Sequence, residues 1–194
     1  MKAFADYSRQ AFSLIELLTV VAILSLLLVM IIPTLSSLSD SNSLTIGGQV
    51  LADQINAARQ TASARNKAVE LRLIKQGGNP GYSAVQLWMA GEGTNYTAVT
   101  RVLPLAKNVV VAENTSLSEI LKTARPDSMN IGGTNSPYMA IQVQPSGLVV
   151  PVIPMSASYL TLVPQRDATT NAQPANYVTL QVNPITGSPL IYRP

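Results

Sequence analysis

The chain predicts an α+β fold: one long amino-terminal helix followed by an antiparallel β-sheet domain. Three observations carry that expectation. From Leu17 to Ser39 there is no charged residue. From Gln49 to Asn66 apolar residues recur at helical spacing, and beyond Asn66 the apolar period changes to two, with turn residues punctuating the chain at short intervals. A helix first and strands after is the order of an α+β protein.

The first element follows from the uncharged run. Leu17 to Ile32 alone extends roughly 24 Å as a helix at ~1.5 Å per residue, close to a hydrocarbon core of ~30 Å, so residues 12–35 are expected to span a membrane. A carboxylate, Glu16, stands at the start of this run. Such a group costs about 2.5–3.5 kcal/mol at the centre of a bilayer even on lenient insertion scales, so it calls for a cation. Lys2 and Arg9 precede the run, which keeps the amino terminus in the cytoplasm and sends the rest outward. A secretory signal peptide has a short apolar core followed by small residues. Here the run is long and continues into Pro33-Thr34-Leu35-Ser36-Ser37. An uncleaved signal anchor fits the length but has no use for Glu16.

Residues 36–66 read as the amphipathic second half of the same helix. Gly47 and Gly48 weaken it, each at ~1 kcal/mol in a helix interior. Leu51, Ile55, Ala58 and Ala62 then fall on one face, with Asp53, Arg59 and Arg65 off it, and that face is expected to pack on the sheet. Residues 67–194 form the β-rich domain. Its first strand, Ala68 to Lys75, puts Val69, Leu71 and Leu73 on one face and Glu70 and Arg72 on the other, and Gly77 to Gly81 ends it. Further strands are expected at Tyr82–Met89, Tyr96–Leu103 and Asn108–Ala112. A short helix follows, with Ser116 and Glu119 at capping-box spacing ahead of Ile120 and Leu121. Pro126 to Pro137 reads as a loop. Strands are then expected at Tyr138–Val143, Leu148–Ile153, Tyr159–Val163 and Tyr177–Val182, with hairpin turns at Pro145-Ser146-Gly147 and at Pro184-Ile185-Thr186-Gly187, the second leading to Leu190-Ile191-Tyr192.

Composition narrows function mainly by exclusion. Histidine and cysteine are absent, which removes His-dependent triads, His-liganded zinc and cysteine nucleophiles. The domain must also stand without a disulfide. Lys107 and Lys122 have no Ser-x-x-Lys spacing, and charged residues make up 12% of the chain, too few to build a catalytic centre readily. No catalytic residue, metal site or cofactor is therefore expected. Asp127 and Asn130 offer two oxygen donors, short of the ~6–8 that calcium takes, and Gly132-Gly133 reads as a turn because no phosphate-loop lysine follows it. The net charge is +3, and removing residues 1–11 takes away Lys2, Arg9 and Asp6, leaving 11 basic and 9 acidic groups. Arg101, Arg125, Arg166 and Arg193 are dispersed, so nucleic acid is not the expected partner unless folding gathers them.

The stretch Gln10-Ala11-Phe12-Ser13-Leu14-Ile15-Glu16-Leu17 and the apolar run after it resemble the amino-terminal signature of type IV prepilins and type II secretion pseudopilins. The resemblance implies a leader of residues 1–11, cleavage between Ala11 and Phe12 by a prepilin peptidase that also methylates the Phe12 amine, and a filament role for Glu16 and Pro33. Glu16 would meet the Phe12 amine of a neighbouring subunit. One position departs: the family nearly always has Gly where this chain has Ala11. Leu51 to Leu73, with Arg65-Asn66-Lys67, is similar to minor pseudopilins of the GspH/FimT branch, and more narrowly to the verrucomicrobial cassette protein D group. The implied protein is a pilin-like, non-enzymatic minor subunit of a type II secretion pseudopilus or type IV pilus. Its implied place is the bacterial inner membrane, in a single pass with the carboxyl-terminal domain periplasmic or extracellular, and then the filament. Implied partners are the peptidase and other pilin-like subunits. Two alternatives stand beside it: a DNA-uptake minor pilin, and a membrane-tethered exported enzyme, the latter recognisable by an unprocessed terminus.

Overall fold

A computed structural model describes residues 13–93, 95–170 and 172–193, with backbone alone for residues 29–39. The chain divides into two units, Met1–Ser39 and Asp40–Pro194, and helix α1, Leu14–Arg65, contributes to both.

In the first unit the described part of α1 is apolar on every side. Its hydroxyls are satisfied by the helix itself: the Thr19 hydroxyl donates to the carbonyls of Ile15 and Glu16, both at 2.9 Å, and the Ser25 hydroxyl to that of Val21 at 2.8 Å. Hydroxyls bonded back to their own helix make no demand on its surroundings, which leaves Glu16 as the ionisable group on the described part.

In the second unit α1 runs through Gly47 and Gly48 without a break, where the sequence suggests weakening. The reason lies in packing. A Cβ on Gly47 would come within 3.0 Å of Val109 Cγ1, and one on Gly48 within 3.1 Å of Val178 Cγ1. The glycines let strands lie closer to the helix axis than any side chain would permit. Past Arg65 the helix closes with Asn66 at φ 47°, the Asn66 N–H on Ser63 and the Lys67 N–H on Ala62. That is the paired bonding of a left-handed helix cap, with Asn replacing the usual Gly.

The strands are β1 Val69–Ile74, β2 Ala84–Ala90, β3 Tyr96–Ala98, β4 Leu103–Pro104, β5 Val109–Val111, β6 Arg125–Ile131, β7 Thr134–Val143, β8 Val149–Val150, β9 Tyr159–Pro164, β10 Val178–Val182 and β11 Pro189–Tyr192. Among the described residues they form two antiparallel sheets. The larger has the order β3-β2-β1-β7-β6, with β4 on β2 and β8 on β7; the smaller has the order β11-β10-β9-β5. One core joins Leu44, Leu51, Ile55, Ala58 and Ala62 of α1 to Leu71, Leu87 and Ile141 of the larger sheet and to Leu160, Leu162 and Leu180 of the smaller. The architecture is α+β, as the order of periodicities predicts. The two expected hairpin turns meet each other: the Val149 N–H donates to the Pro184 carbonyl at 2.8 Å, and a Cβ on Gly147 would lie 2.8 Å from the Thr186 oxygen.

Several local expectations are corrected. The segment Pro126 to Pro137 is no loop but most of the β6–β7 hairpin, turning on Gly132 and Gly133 at φ 58° and 86°. Two positive φ values in a two-residue turn match the twist of paired strands. Pro126 is tolerated because β6 is an edge strand, and Pro137 because β1 ends opposite Tyr138. The single strand expected at Tyr96–Leu103 is split into β3 and β4 by a bulge, where the N–H groups of Val99 and Thr100 both point to the Leu87 carbonyl. The strand expected at Leu148–Ile153 is only Val149–Val150, since Pro151 has no N–H to continue the ladder. The capping box is absent. Ser116 bonds to Asn114 Oδ1, Glu119 to Lys122, and the short 3-10 helix begins at Glu119 with no side-chain cap.

Candidate functional site

Two surfaces stand out, one in each unit. On the amino-terminal part of α1, Leu14, Ile15, Leu17, Leu18, Val20, Val21, Ile23 and Leu24 are all exposed, from 49% at Val20 to 88% at Leu14. Glu16 lies in the first helical turn among them and is exposed, where its charge favours the positive end of the helix dipole. A helix apolar all round is at rest in lipid or among other helices. Among the described residues no helix is long and apolar enough to cross a membrane. Ala11 and Phe12 lie outside the described residues, as does the side chain of Pro33, and residues 29–39, which would complete the expected span, are described by backbone alone.

The face chosen on the second half of α1 is inside. Leu51, Ala58 and Ala62 have no exposed surface and Ile55 almost none.

The second surface was missed by periodicity. In β1 the alternation that sends Val69, Leu71 and Leu73 into the core sends Glu70 and Arg72 to the opposite face of the larger sheet. That face is not simply solvated, for Glu70 is 2% exposed and Arg72 6%. Glu70 Oε2 accepts from Arg72 Nε at 3.0 Å and Nη2 at 2.9 Å, and Oε1 accepts from Arg125 Nη2 at 2.6 Å. Register explains the company. Glu70 pairs with Trp88 of β2, Ile74 with Tyr138 of β7, and Arg125 and Asp127 of β6 lie opposite Ala140 and Tyr138. The Arg72 guanidinium therefore stacks 4.3 Å from the Trp88 ring centre and 4.5 Å from that of Tyr138, with Tyr96 of β3 at 5.4 Å. Cation–π contacts contribute ~0.5–1 kcal/mol at exposed sites and ~2 kcal/mol or more when desolvated.

The electrostatics follow from those contacts. Burial pushes the Tyr96 phenol above its ordinary range, with Glu70 acting the same way and Arg125 opposing. Tyr138 is likewise raised by burial, against the Arg72 charge, and it donates to Asp127 Oδ2 at 3.1 Å. Asp127 is held below the usual carboxylate range by the Ser128 N–H first, then by Tyr138 and the two arginines. Arg72, Trp88, Tyr96, Arg125 and Asp127, together with Asn95, border an open hollow of about 530 Å3. The sequence holds one usable signal: two opposite charges at alternate positions of an otherwise apolar strand, which a salt bridge along the strand would satisfy.

Other candidates disperse. Asp127 and Asn130 sit three residues apart on one strand and so face opposite sides of the sheet, and Asn130 Oδ1 is engaged by the Gly133 N–H. Among the described residues no cluster of acidic side chains has the makings of a metal site. Arg166 bonds to Asp40 and Arg193 to Thr45 on α1, Arg125 to Glu70, and Arg101 is exposed between β3 and β4. Lys122 pairs with Glu119, and Lys107 is exposed.

Residues 7–32 match the family described as the Prokaryotic N-terminal methylation motif. The amino-terminal segment is thus of prepilin type. No curated protein matches the chain. Among solved structures it is similar to the type IV minor pilin FimU of Pseudomonas aeruginosa (strain PAO1), at 12% identity and a TM-score of 0.47, covering 79% of this chain and 89% of that one.

Proposed function

We propose that this protein is a non-catalytic, prepilin-type minor subunit of a type IV pilus or type II secretion pseudopilus, assembled through its amino-terminal helix. The observation that carries the reading is the methylation motif over residues 7–32, overlapping a helix whose apolar side chains are exposed from Leu14 to Leu28, in a sequence where Glu16 is followed by no further ionisable residue as far as Ser39. In this reading the leader, residues 1–11, is removed between Ala11 and Phe12 by a peptidase that methylates the new amine. Residues 12–35 rest in the inner membrane with the domain outside, and in the filament lipid is replaced by neighbouring helices. Glu16 then pairs with the Phe12 amine of the next subunit, and an unpaired charge in apolar surroundings costs enough to fix the axial register. Pro33 belongs to the same assembly helix. The β-rich domain faces outward, where it meets other pilin-like subunits.

The test begins with mass spectrometry of the native protein, which should find a terminus at Phe12 carrying one methyl group. Glu16→Ala should leave leader removal intact while lowering co-purification with filaments. An intact Met1 terminus, or a variant recovered with filaments as well as wild type, overturns the reading.

A further inference from the structure

The hollow on the outer face of the larger sheet is built from residues of the second unit alone. Its volume of about 530 Å3 falls within the ~300–1,000 Å3 of small-ligand sites. Its floor is the Arg72 guanidinium, fixed by Glu70 beneath and by Trp88 and Tyr138 on either side. Its rim is Tyr96, Arg125, Asp127 and Asn95.

Charge decides what does not bind there. Arg72 and Arg125 are matched by Glu70 and Asp127, so the hollow has no net formal charge with which to draw a polyanion, whose binding rests on neutralised phosphates. An apolar ligand fares no better, because it would strip water from the Arg125 and Asp127 side chains without replacing it. The remaining chemistry is a neutral ligand whose adjacent groups both donate and accept. Hydroxyls do this. Arg125 offers donors from a side chain that is 54% exposed, while Asp127, kept ionised by the Ser128 N–H and Tyr138, accepts only. The Trp88 Nε1 donor is shielded from water and has no acceptor among the described residues. Tyr96 and Trp88 supply ring surface beside these polar groups, and a pyranose ring presents C–H groups on its faces and hydroxyls at its edge.

We propose that this hollow binds a neutral saccharide, one pyranose ring lying against Tyr96 and Trp88 with its neighbouring hydroxyls on Arg125 and Asp127. Trp88 is the only tryptophan in the chain, so its emission reports on this site alone. The full-length protein, held in a zwitterionic detergent without a sugar headgroup, is titrated with neutral oligosaccharides of α- and β-linked glucose, of xylose and of mannose. Parallel titrations use oligogalacturonate and single-stranded DNA. At least one neutral series should give a saturable emission change, weakened about tenfold or more by Tyr96→Ala and by Arg125→Ala, with Tyr96→Phe retaining most of the affinity. Melting curves of each variant confirm that the fold persists. No saturable response to any neutral series up to about 10 mM, equal binding by both alanine variants, or binding confined to the acidic glycan or the DNA overturns the proposal. Each of those results leaves the mass of the mature amino terminus, and the assembly reading that depends on it, untouched.

Discussion

Replacing Glu70 by Leu tests whether the polar row on the outer sheet face is held together as the distances say. Glu70 is 2% exposed and takes all three bonds described above, so its loss leaves Arg72, at 6% exposure, without its ion-pair partner. Removing one partner of a buried pair costs about 3–5 kcal/mol. The stacked rings of Trp88 and Tyr138 remain on the orphaned guanidinium and offset part of this, which places the expectation near the lower end, about 3 kcal/mol. For a chain of this length each kcal/mol shifts the midpoint by about 2–4 °C, so Tm should fall by roughly 6–12 °C. Two comparisons isolate the cause. Arg125→Ala breaks a bond whose cationic side chain is 54% exposed, and such half-solvated pairs contribute about 1 kcal/mol or less. The double replacement Glu70→Leu with Arg72→Met removes both charges for apolar groups of similar volume and should recover most of the loss. Thermal unfolding followed by circular dichroism on the full chain reads all of these. A Glu70→Leu midpoint within about 2 °C of wild type, or a double variant as damaged as the single one, would refute the buried-pair reasoning.

Two further outcomes are expected. Ala58 has no exposed surface where α1 meets the sheets, so Ala58→Asp should lower stability by about 3–5 kcal/mol or prevent folding, while Ala58→Gly should cost only ~1 kcal/mol; an unchanged midpoint for the aspartate would place that face in solvent. Burial, with the Glu113 charge adding to it, pushes the Tyr82 phenol up to about 12. Because this folded value lies above the unfolded one of about 10, the native state holds the proton longer. Stability is therefore full below pH 10 and declines as pH rises from about 10 towards 12. Tyr82→Phe should make that alkaline decline shallower, and an identical alkaline limb in the variant would contradict the assignment.

Elements whose apolar pattern matches one local period were legible in the sequence. Leu51, Ile55, Ala58 and Ala62 repeat at helical spacing, and β1, β9 and β10 alternate. The turns at Gly147 and Gly187 carry residues that permit φ of 88° and 66°. What escaped were features fixed by contacts distant in sequence. Gly47 and Gly48 look like helix breakers until Val109 and Val178 are brought against them, 62 and 130 residues later. The β6–β7 hairpin was hidden by Pro126 and Pro137, harmless once one sits on an edge strand and the other beyond the end of β1. The hollow was hidden for the same reason. Its lining comes from β1, β2, β3, β6 and the turn before β3, with Arg72, Trp88 and Arg125 spread over more than 50 residues of sequence.

The outer row of β1 sharpens the question of why polarity is kept there. The inner row, Val69, Leu71 and Leu73, anchors the strand to α1 and to both neighbouring strands. Apolar residues at 70 and 72 would extend the satellite cluster already formed beside them by Ile74, Ala84, Tyr138 and Ala140. That exchange is commonly neutral or stabilising, because it avoids desolvating two charges. Stability alone therefore does not call for the Glu70–Arg72 pair. What the pair does provide is direction: it fixes the floor guanidinium between two rings and reaches out to Arg125 at the rim, so that donors and ring faces are in place before anything arrives. Preorganisation of that kind lowers the ordering cost of binding, and it gives the double variant a second use. If the Glu70→Leu, Arg72→Met protein melts like wild type yet no longer changes its Trp88 emission with saccharide, the polar row is maintained for recognition and not for the fold.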